Sequence, residues 1–174
     1  MYIPDMHALF AASLMLAAPG VAWVEVSSPP AAGLTLPFVT DANAYFAALP
    51  PLVELAQAEA QPRARVWGAF DTHAVRLHVE VSDPAHINDR EDAAIWDGDA
   101  LQVSIDPHGA IAPNLSRLAD FIDVGALYAA FALTAAGPRA WAHLRGAPDA
   151  PGPLDVPTRI GRDEARHVTT YDVA

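Results

Sequence analysis

The chain has 174 residues, the size of one ordinary domain, and its 21 acidic and ten basic side chains give a net charge of −11. This charge repels a phosphate backbone and an anionic membrane surface, so we expect neither nucleic-acid binding nor membrane insertion. Neutral and cationic ligands are compatible with the charge. The absence of cysteine excludes disulfide bonds, thiolate catalysis and cysteine-ligated zinc.

The first part of the chain, residues 1–22, is apolar. Its central run, residues 8–18, is too short to span a bilayer but has the length of a secretory apolar region, and Ala22 lies near a suitable cleavage point. Asp5 and His7 precede this run, where a signal peptide usually carries Arg or Lys. We therefore expect either a signal peptide, which indicates an extracellular, periplasmic or cell-surface protein, or an irregular lead-in.

Residues 41–61 hold the best helical sequence. Asp41 is placed to cap a short helix, and the pair Pro50 and Pro51 interrupts it. Pro51 then suits the first position of a second short helix. The sequence therefore predicts short helical segments near the N-terminus.

From residue 63 onward, apolar residues recur at every second position, which indicates β-strands. ARVWGAF and AVRLHVEV are the first two strands, and residues 71–73 suit a tight connection between them. We expect Trp67, within the first strand, to lie in the core. ALQVSID has the same alternation, with Leu101, Val103 and Ile105 on its apolar side.

Further strands are predicted in ALYAAFALT, in RAWAHLR and in the closing HVTTYDVA. Many short strands separated by turns favour an all-β fold, an antiparallel β-sandwich. We assign residues 23–174 to this sandwich.

Eight carboxylates lie between Glu80 and Asp106, with Arg90 as the only basic residue among them. They repel one another unless solvent or a cation neutralises them, and calcium takes several oxygen ligands in flexible geometry. The spacing is not that of an EF-hand loop. Two interpretations stay open, a calcium site and a solvated acidic loop.

Trp96 stands in a polar segment, IWDGDALQVSID, just ahead of a strand whose polar side begins with Gln102. An aromatic ring beside amide and carboxylate groups, here Gln102 and Asp99, suits a sugar site, because the ring packs on the sugar's C–H face while polar groups bind its hydroxyls. The alternative is a tryptophan at the rim that seals the core.

No catalytic arrangement stands out in the sequence. The histidines are scattered, and no phosphate-binding glycine motif is present. A glycosidase pair of carboxylates would need a separation that sequence cannot provide. We therefore expect a protein that is not an enzyme.

Residues 65–107 resemble the core of the family 9 carbohydrate-binding modules. The matching features are Phe70-Asp71 at a strand end, the strand from Leu77 to Asp83, and Trp96 followed by Asp99, Gln102 and Asp106. The resemblance implies a jelly-roll β-sandwich that binds ends of glucans or xylans, as an appendage of a glycoside hydrolase. It implies that Trp96 is one wall of the sugar slot and that Gln102 binds hydroxyls, with structural calcium near Asp83 and Asp99.

The sequence departs from this family in two respects. Gln102 stands where well-studied members carry Glu, which replaces a charged acceptor by an amide. The family's second tryptophan wall follows a strand at which this chain ends, YDVA. We therefore expect a module that lacks its last strands, either as a fragment of a longer protein or as a truncated domain.

Two alternatives remain beside sugar binding. A β-sandwich with an incomplete slot serves as a structural or interaction module. A haem-binding sandwich of the related DOMON type needs an axial Met and His pair. The three Met residues, at positions 1, 6 and 15, all precede the predicted sandwich, so only a site with two histidines stays open.

Overall fold

The computed structural model describes residues 36–55, 63–105, 127–145 and 150–174, so the predicted leader at residues 1–22 lies outside the described residues. Within these ranges one α-helix, one 3₁₀ helix and nine strands follow each other along the chain: α1 (Ala42–Ala48), β1 (Val53–Leu55), β2 (Arg63–Phe70), β3 (Val75–Ser82), the 3₁₀ helix (Asp92–Asp97), β4 (Ala100–Ile105), β5 (Leu127–Thr134), β6 (Gly137–Arg145), β7 (Gly152–Pro153), β8 (Thr158–Asp163) and β9 (Val168–Val173). The all-β prediction is confirmed. Neither helix of the described ranges has the length and apolar character needed to cross a membrane.

The strands form two antiparallel sheets, one of five strands in the order β1-β2-β3-β9-β8 and one of four in the order β4-β5-β6-β7. The predicted connection between β2 and β3 is confirmed: Asp71 Oδ1 accepts hydrogen bonds from the backbone N–H groups of His73 and Ala74. The closing strand, β9, pairs with β3 on one side and with β8 on the other.

The inner faces of the two sheets share one apolar cluster. The alternation predicted in β3 and β4 supplies part of it, and β2, β5, β8 and β9 supply the rest. Its buried members are Ala64, Val79, Val81, Leu101, Val103, Ala129, Phe131, Ile160 and Tyr171. This cluster fixes which side of each sheet faces outward and is available for other contacts.

The predicted start of α1 is confirmed, since the Asp41 side chain accepts a hydrogen bond from Ala44 N at 3.0 Å. The second helix predicted from Pro51 is wrong. Leu52 N donates to Val66 O at 2.8 Å, and the next residues pair with β2 as strand β1. The free edge of β2 offers backbone partners that outweigh the local helix preference.

Trp67 is buried, as predicted, but on the outer face of the five-stranded sheet. Its Nε1 donates to Leu49 O, the residue after α1, at 2.9 Å. The helix therefore covers this tryptophan.

Candidate functional site

The outer face of the four-stranded sheet has a half built from small side chains. Ala100, Ala130 and Ala132 lie on β4 and β5 and are buried. Ile95 of the 3₁₀ helix, 1% exposed, packs against them. Because methyl groups leave room above the sheet, the 3₁₀ helix lies directly on this half.

Beside these small side chains, the same face carries larger polar and aromatic ones, which we call the strand-face group: Gln102, Tyr128, Trp141 and His143, with Trp141 packed against the alanines. Gln102 is opposite Ala130, and Ala130 is opposite Trp141, so Gln102 and Trp141 share a face. The pairing of β5 with β6 shifts register beside Tyr128, and the Tyr128 and His143 ring centroids are 5.3 Å apart. Three strands therefore bring this group together.

Trp96 adjoins the strand-face group and is 38% exposed. Its backbone carbonyl accepts a hydrogen bond from Gln102 Nε2 at 3.3 Å. The Tyr128 hydroxyl donates to Gln102 Oε1, and Gln102 itself is 2% exposed. Two of the three residues predicted for the sugar site are thus joined, with Trp96 partly exposed and Gln102 buried among internal partners.

The predicted residue Asp99 lies in a buried polar environment below this turn. Its carboxylate accepts a hydrogen bond from Ile87 N, and its backbone N–H donates to Ile87 O at 2.9 Å. Burial raises the pKa of the Asp99 carboxyl, the Ile87 hydrogen bond opposes that rise, and the nearby charge of Asp83 adds to it. Asp99 therefore closes the loop on which Trp96 stands, and its predicted contact with sugar stays a prediction.

Arg162 of β8 supplies positive charge to the same cluster, with a side chain that is 5% exposed. Its guanidinium donates to Asp83 O at 2.9 Å and to Thr169 Oγ1 at 3.1 Å. It also opposes the rise in the pKa of Asp99. Its ion pair is with the exposed Glu164, at 2.9 Å. Sequence reasoning missed Arg162 because it lies far along the chain from Asp83, whose backbone carbonyl it binds.

His86 connects this cluster to the four-stranded sheet. Its Nε2 donates to Leu133 O at 2.8 Å, so its Nδ1 is left to accept from Thr169 Oγ1 at 3.4 Å in the neutral ring. Nδ1 is also 3.8 Å from an Asp99 carboxylate oxygen. The loop after β3 is thereby tied to both sheets by polar side chains.

The described part of the structure shows no cluster of acidic ligands around Asp83 and Asp99, the residues predicted to lie near calcium. Within the described ranges, no group of three or more His, Asp or Glu side chains is arranged to hold a metal ion. Two carboxylates supply only part of the six to eight oxygen ligands that calcium takes, so backbone carbonyls or water would have to complete the set. Calcium stays a prediction.

Two buried nitrogen atoms of the strand-face group, Trp141 Nε1 and His143 Nε2, have no hydrogen-bond partner among the described residues. A buried donor or acceptor without a partner costs about 1–3 kcal/mol. Burial also lowers the pKa of His143, because the charged ring loses its hydration. The face therefore holds a neutral imidazole and an indole N–H that no described residue satisfies.

The strand-face group was only partly visible in the sequence. ALYAAFALT shows that Tyr128 shares a side with the alanines at positions 130 and 132, but not which side faces the core. His143 lies beside Tyr128 where the pairing of β5 with β6 shifts register. The sequence has no pattern from which this shift could be predicted.

No protein-family model matches the chain, and no curated protein or solved structure is significantly similar to it. The resemblance to the family 9 carbohydrate-binding modules therefore stays a prediction.

Proposed function

We propose that the protein binds a neutral oligo- or polysaccharide without catalysis, through Trp96 and the adjoining strand-face group. One observation carries the proposal: the Trp96 ring is 38% exposed while its own backbone carbonyl is hydrogen-bonded to Gln102. A large aromatic ring that is accessible yet held in place suits stacking on the C–H face of a sugar.

The charge of the chain supports an uncharged ligand. A net charge of −11 disfavours acidic polysaccharides and phosphorylated sugars. Gln102 uses one amide hydrogen on Trp96 O and one oxygen lone pair on Tyr128, so one hydrogen and one lone pair are left for a hydroxyl. Because Gln102 is 2% exposed, we expect Trp96 to carry most of the contact and Asp99 to act by shaping the turn.

The wider context of the proposal rests on the resemblance to the family 9 modules. It comprises a jelly-roll sandwich, glucan or xylan ends as ligands, a tethered glycoside hydrolase, and an extracellular, periplasmic or cell-surface location. Structural calcium near Asp83 and Asp99 belongs to the same proposal and is supported by the mutual repulsion of these two neighbouring acids.

Isothermal titration with cello- and xylo-oligosaccharides tests the proposal. We expect heat with the wild type and a loss of at least about tenfold in affinity for Trp96→Ala, as for an aromatic residue at the centre of a binding site. Phe38→Ala is the matched control, because Phe38 is another exposed aromatic, 56% exposed, and packs on Phe70 of the other sheet. Equal affinities for wild type and Trp96→Ala would remove Trp96 from the site.

A structural or interaction module is the second candidate, and the burial of Gln102 favours it. A residue whose amide atoms both have internal partners stabilises a turn without any ligand. This alternative predicts no heat with any of the sugars, so the same titration decides between the two.

A further inference from the structure

Asn88 is a buried amide that the sugar proposal has not used. It is 7% exposed, and its Nδ2 donates to Ile95 O at 2.8 Å and to Asp99 O at 3.1 Å. Its Oδ1 accepts from Arg90 N at 3.1 Å. One side chain therefore binds the backbone on both sides of Trp96 with both of its amide hydrogens.

Gly98 lies against the same amide. A β-carbon added at Gly98 would stand 2.7 Å from Asn88 Cγ, closer than non-bonded carbon atoms approach. The backbone at Gly98 is extended, with φ −131° and ψ −164°, a conformation open to any residue. The absence of a side chain at this position is thus required by Asn88 and not by the backbone.

We propose that Asn88 is a positioning residue for carbohydrate binding, which together with Gly98 holds the Trp96 ring in its exposed pose before the ligand arrives. Asn88 fixes the carbonyls of Ile95 and Asp99, and Gln102 fixes the carbonyl of Trp96 between them. This inference rests on the proposed function. It adds that affinity depends on a residue that never touches the sugar.

The physical reason is preorganisation. If the turn were loose, sugar binding would have to order the backbone around Trp96, and that ordering would subtract from the affinity. Removal of the Asn88 amide leaves two backbone carbonyls without their donor, in a region where Asn88 and Ile95 are both buried. We expect an affinity about tenfold weaker, the effect of losing one or two neutral hydrogen bonds.

The test combines Asn88→Ala, Gly98→Ala and the double variant, each titrated with the oligosaccharide that the wild type binds. Each single variant should weaken binding about tenfold, because the first removes the amide and the second displaces it. In the double variant the methyl group added at position 98 occupies the space that the Asn88 amide has left. The affinity of the double variant should therefore be less than about twofold weaker than that of Asn88→Ala alone. Independent, multiplying losses would overturn the proposal.

Two measurements separate positioning from general loss of stability. Val79→Ala removes methyl groups from the shared core, where Val79 is 1% exposed, and should leave the affinity within about twofold at temperatures where it is folded. The indole N–H resonance of Trp96, assigned with Trp96→Phe, should shift or broaden in Asn88→Ala and stay in place in Val79→Ala. An unchanged resonance in Asn88→Ala would overturn the positioning role.

The resonance is measured without sugar, so it distinguishes the two possible failures. A wild type that gives no heat with any sugar overturns the proposed function and the sugar role of Asn88. An unshifted Trp96 resonance, beside a wild type that binds sugar, overturns the role of Asn88 alone.

Discussion

Trp67, on the outer face of the five-stranded sheet, and Trp96, on the 3₁₀ helix that lies on the other outer face, are held in opposite ways. On the five-stranded sheet, Trp67 is 7% exposed, its Nε1 donates to Leu49 O at 2.9 Å, and the Arg65 guanidinium lies 5.6 Å from the ring centroid. On the four-stranded sheet, Trp96 is 38% exposed, and among the described residues none accepts a hydrogen bond from its indole. A covered indole stabilises the fold, whereas an exposed one is available to a ligand.

A histidine on each face shows the same contrast. His78 Nδ1 is 2.6 Å from an Asp172 carboxylate oxygen, and its ring stacks on Phe46 of α1 at 5.8 Å. His143 packs beside Tyr128 with a buried Nε2 that has no partner among the described residues. Within the part of the chain that the structure describes, buried polar side chains of the first face have partners, and two nitrogen atoms of the second face do not. Buried polar groups without a hydrogen-bond partner are rare on a face that only stabilises the fold, whereas on a binding face a ligand can supply the partner.

The largest expected effect is the difference in stability lost when each of the two tryptophans is replaced by alanine. Trp67→Ala should lower the free energy of unfolding by about 3–5 kcal/mol, because it leaves a cavity between β2 and α1 and an unpaired carbonyl at Leu49. Trp96→Ala should lower it by at most about 1 kcal/mol, since the ring is already partly in water. Urea unfolding of the two variants measures both values.

Similar losses in the free energy of unfolding of the two variants would contradict the contrast between a structural Trp67 and an accessible Trp96. A large loss for Trp96→Ala would mean that this ring seals the core at its rim, the interpretation that the sequence left open. The sugar titration of the same variant would then report a damaged fold and not a missing contact.

The second expected effect concerns what anchors the loop that carries Trp96. Arg162→Gln should lower the free energy of unfolding by about 3 kcal/mol, because it removes two charge-assisted hydrogen bonds, to Asp83 O and Thr169 Oγ1, made by a side chain that is 5% exposed. Arg159→Gln, at an exposed position of the same strand, is the matched control and should change it by about 0.5 kcal/mol or less. Equal losses would show that the hydrogen bonds of Arg162 do not anchor the loop after β3.

The same two proteins, wild type and Arg162→Gln, test calcium. An ion bound near Asp83 and Asp99 stabilises the folded state by mass action, so millimolar calcium should raise Tm relative to a chelator. The rise should be larger in Arg162→Gln, where the acids have lost their internal cation. No shift in either protein would retire the calcium prediction.

The fold was predictable wherever the sequence carries a local pattern. The alternation of Leu77, Val79 and Val81 follows from the pleat of a strand, and Asp41 predicts its helix through its capping side chain. The helix expected after Pro51 failed because a short edge strand depends on its partner, β2, and not on its own residues. Local rules therefore identified the strands but not the pairing at the sheet edge.

The site was predictable only in its centre. Trp96 was recognisable because an aromatic residue stands in a polar segment, and the structure does leave it exposed. Gln102 was expected at the surface by alternation, yet it is buried because the 3₁₀ helix and the neighbouring strand cover this face. Arg162 and His143 come from strands distant in sequence, and only strand pairing brings Arg162 beside Thr169 and His143 beside Tyr128.

The smallest expected effect is the pH dependence that His143 of the strand-face group contributes. The pKa of His143 is lowered in the folded protein, so below its ordinary value of 6.5 the unfolded chain takes up a proton that the folded chain refuses. The free energy of unfolding should therefore fall as pH decreases from 6.5, and the contribution of His143 is fully present only above that value. His143→Phe keeps a ring beside Tyr128 and removes this titration, so its stability should fall less between pH 8 and about 5. Asp99 is present in both proteins, and its raised pKa acts in the opposite direction, so the difference between the two curves isolates His143.

Parallel curves would mean that His143 is protonated as easily in the folded state as in the unfolded state. The strand-face group would then be as well accommodated as the polar groups around His78, and the contrast between the two faces would rest on Trp96 alone.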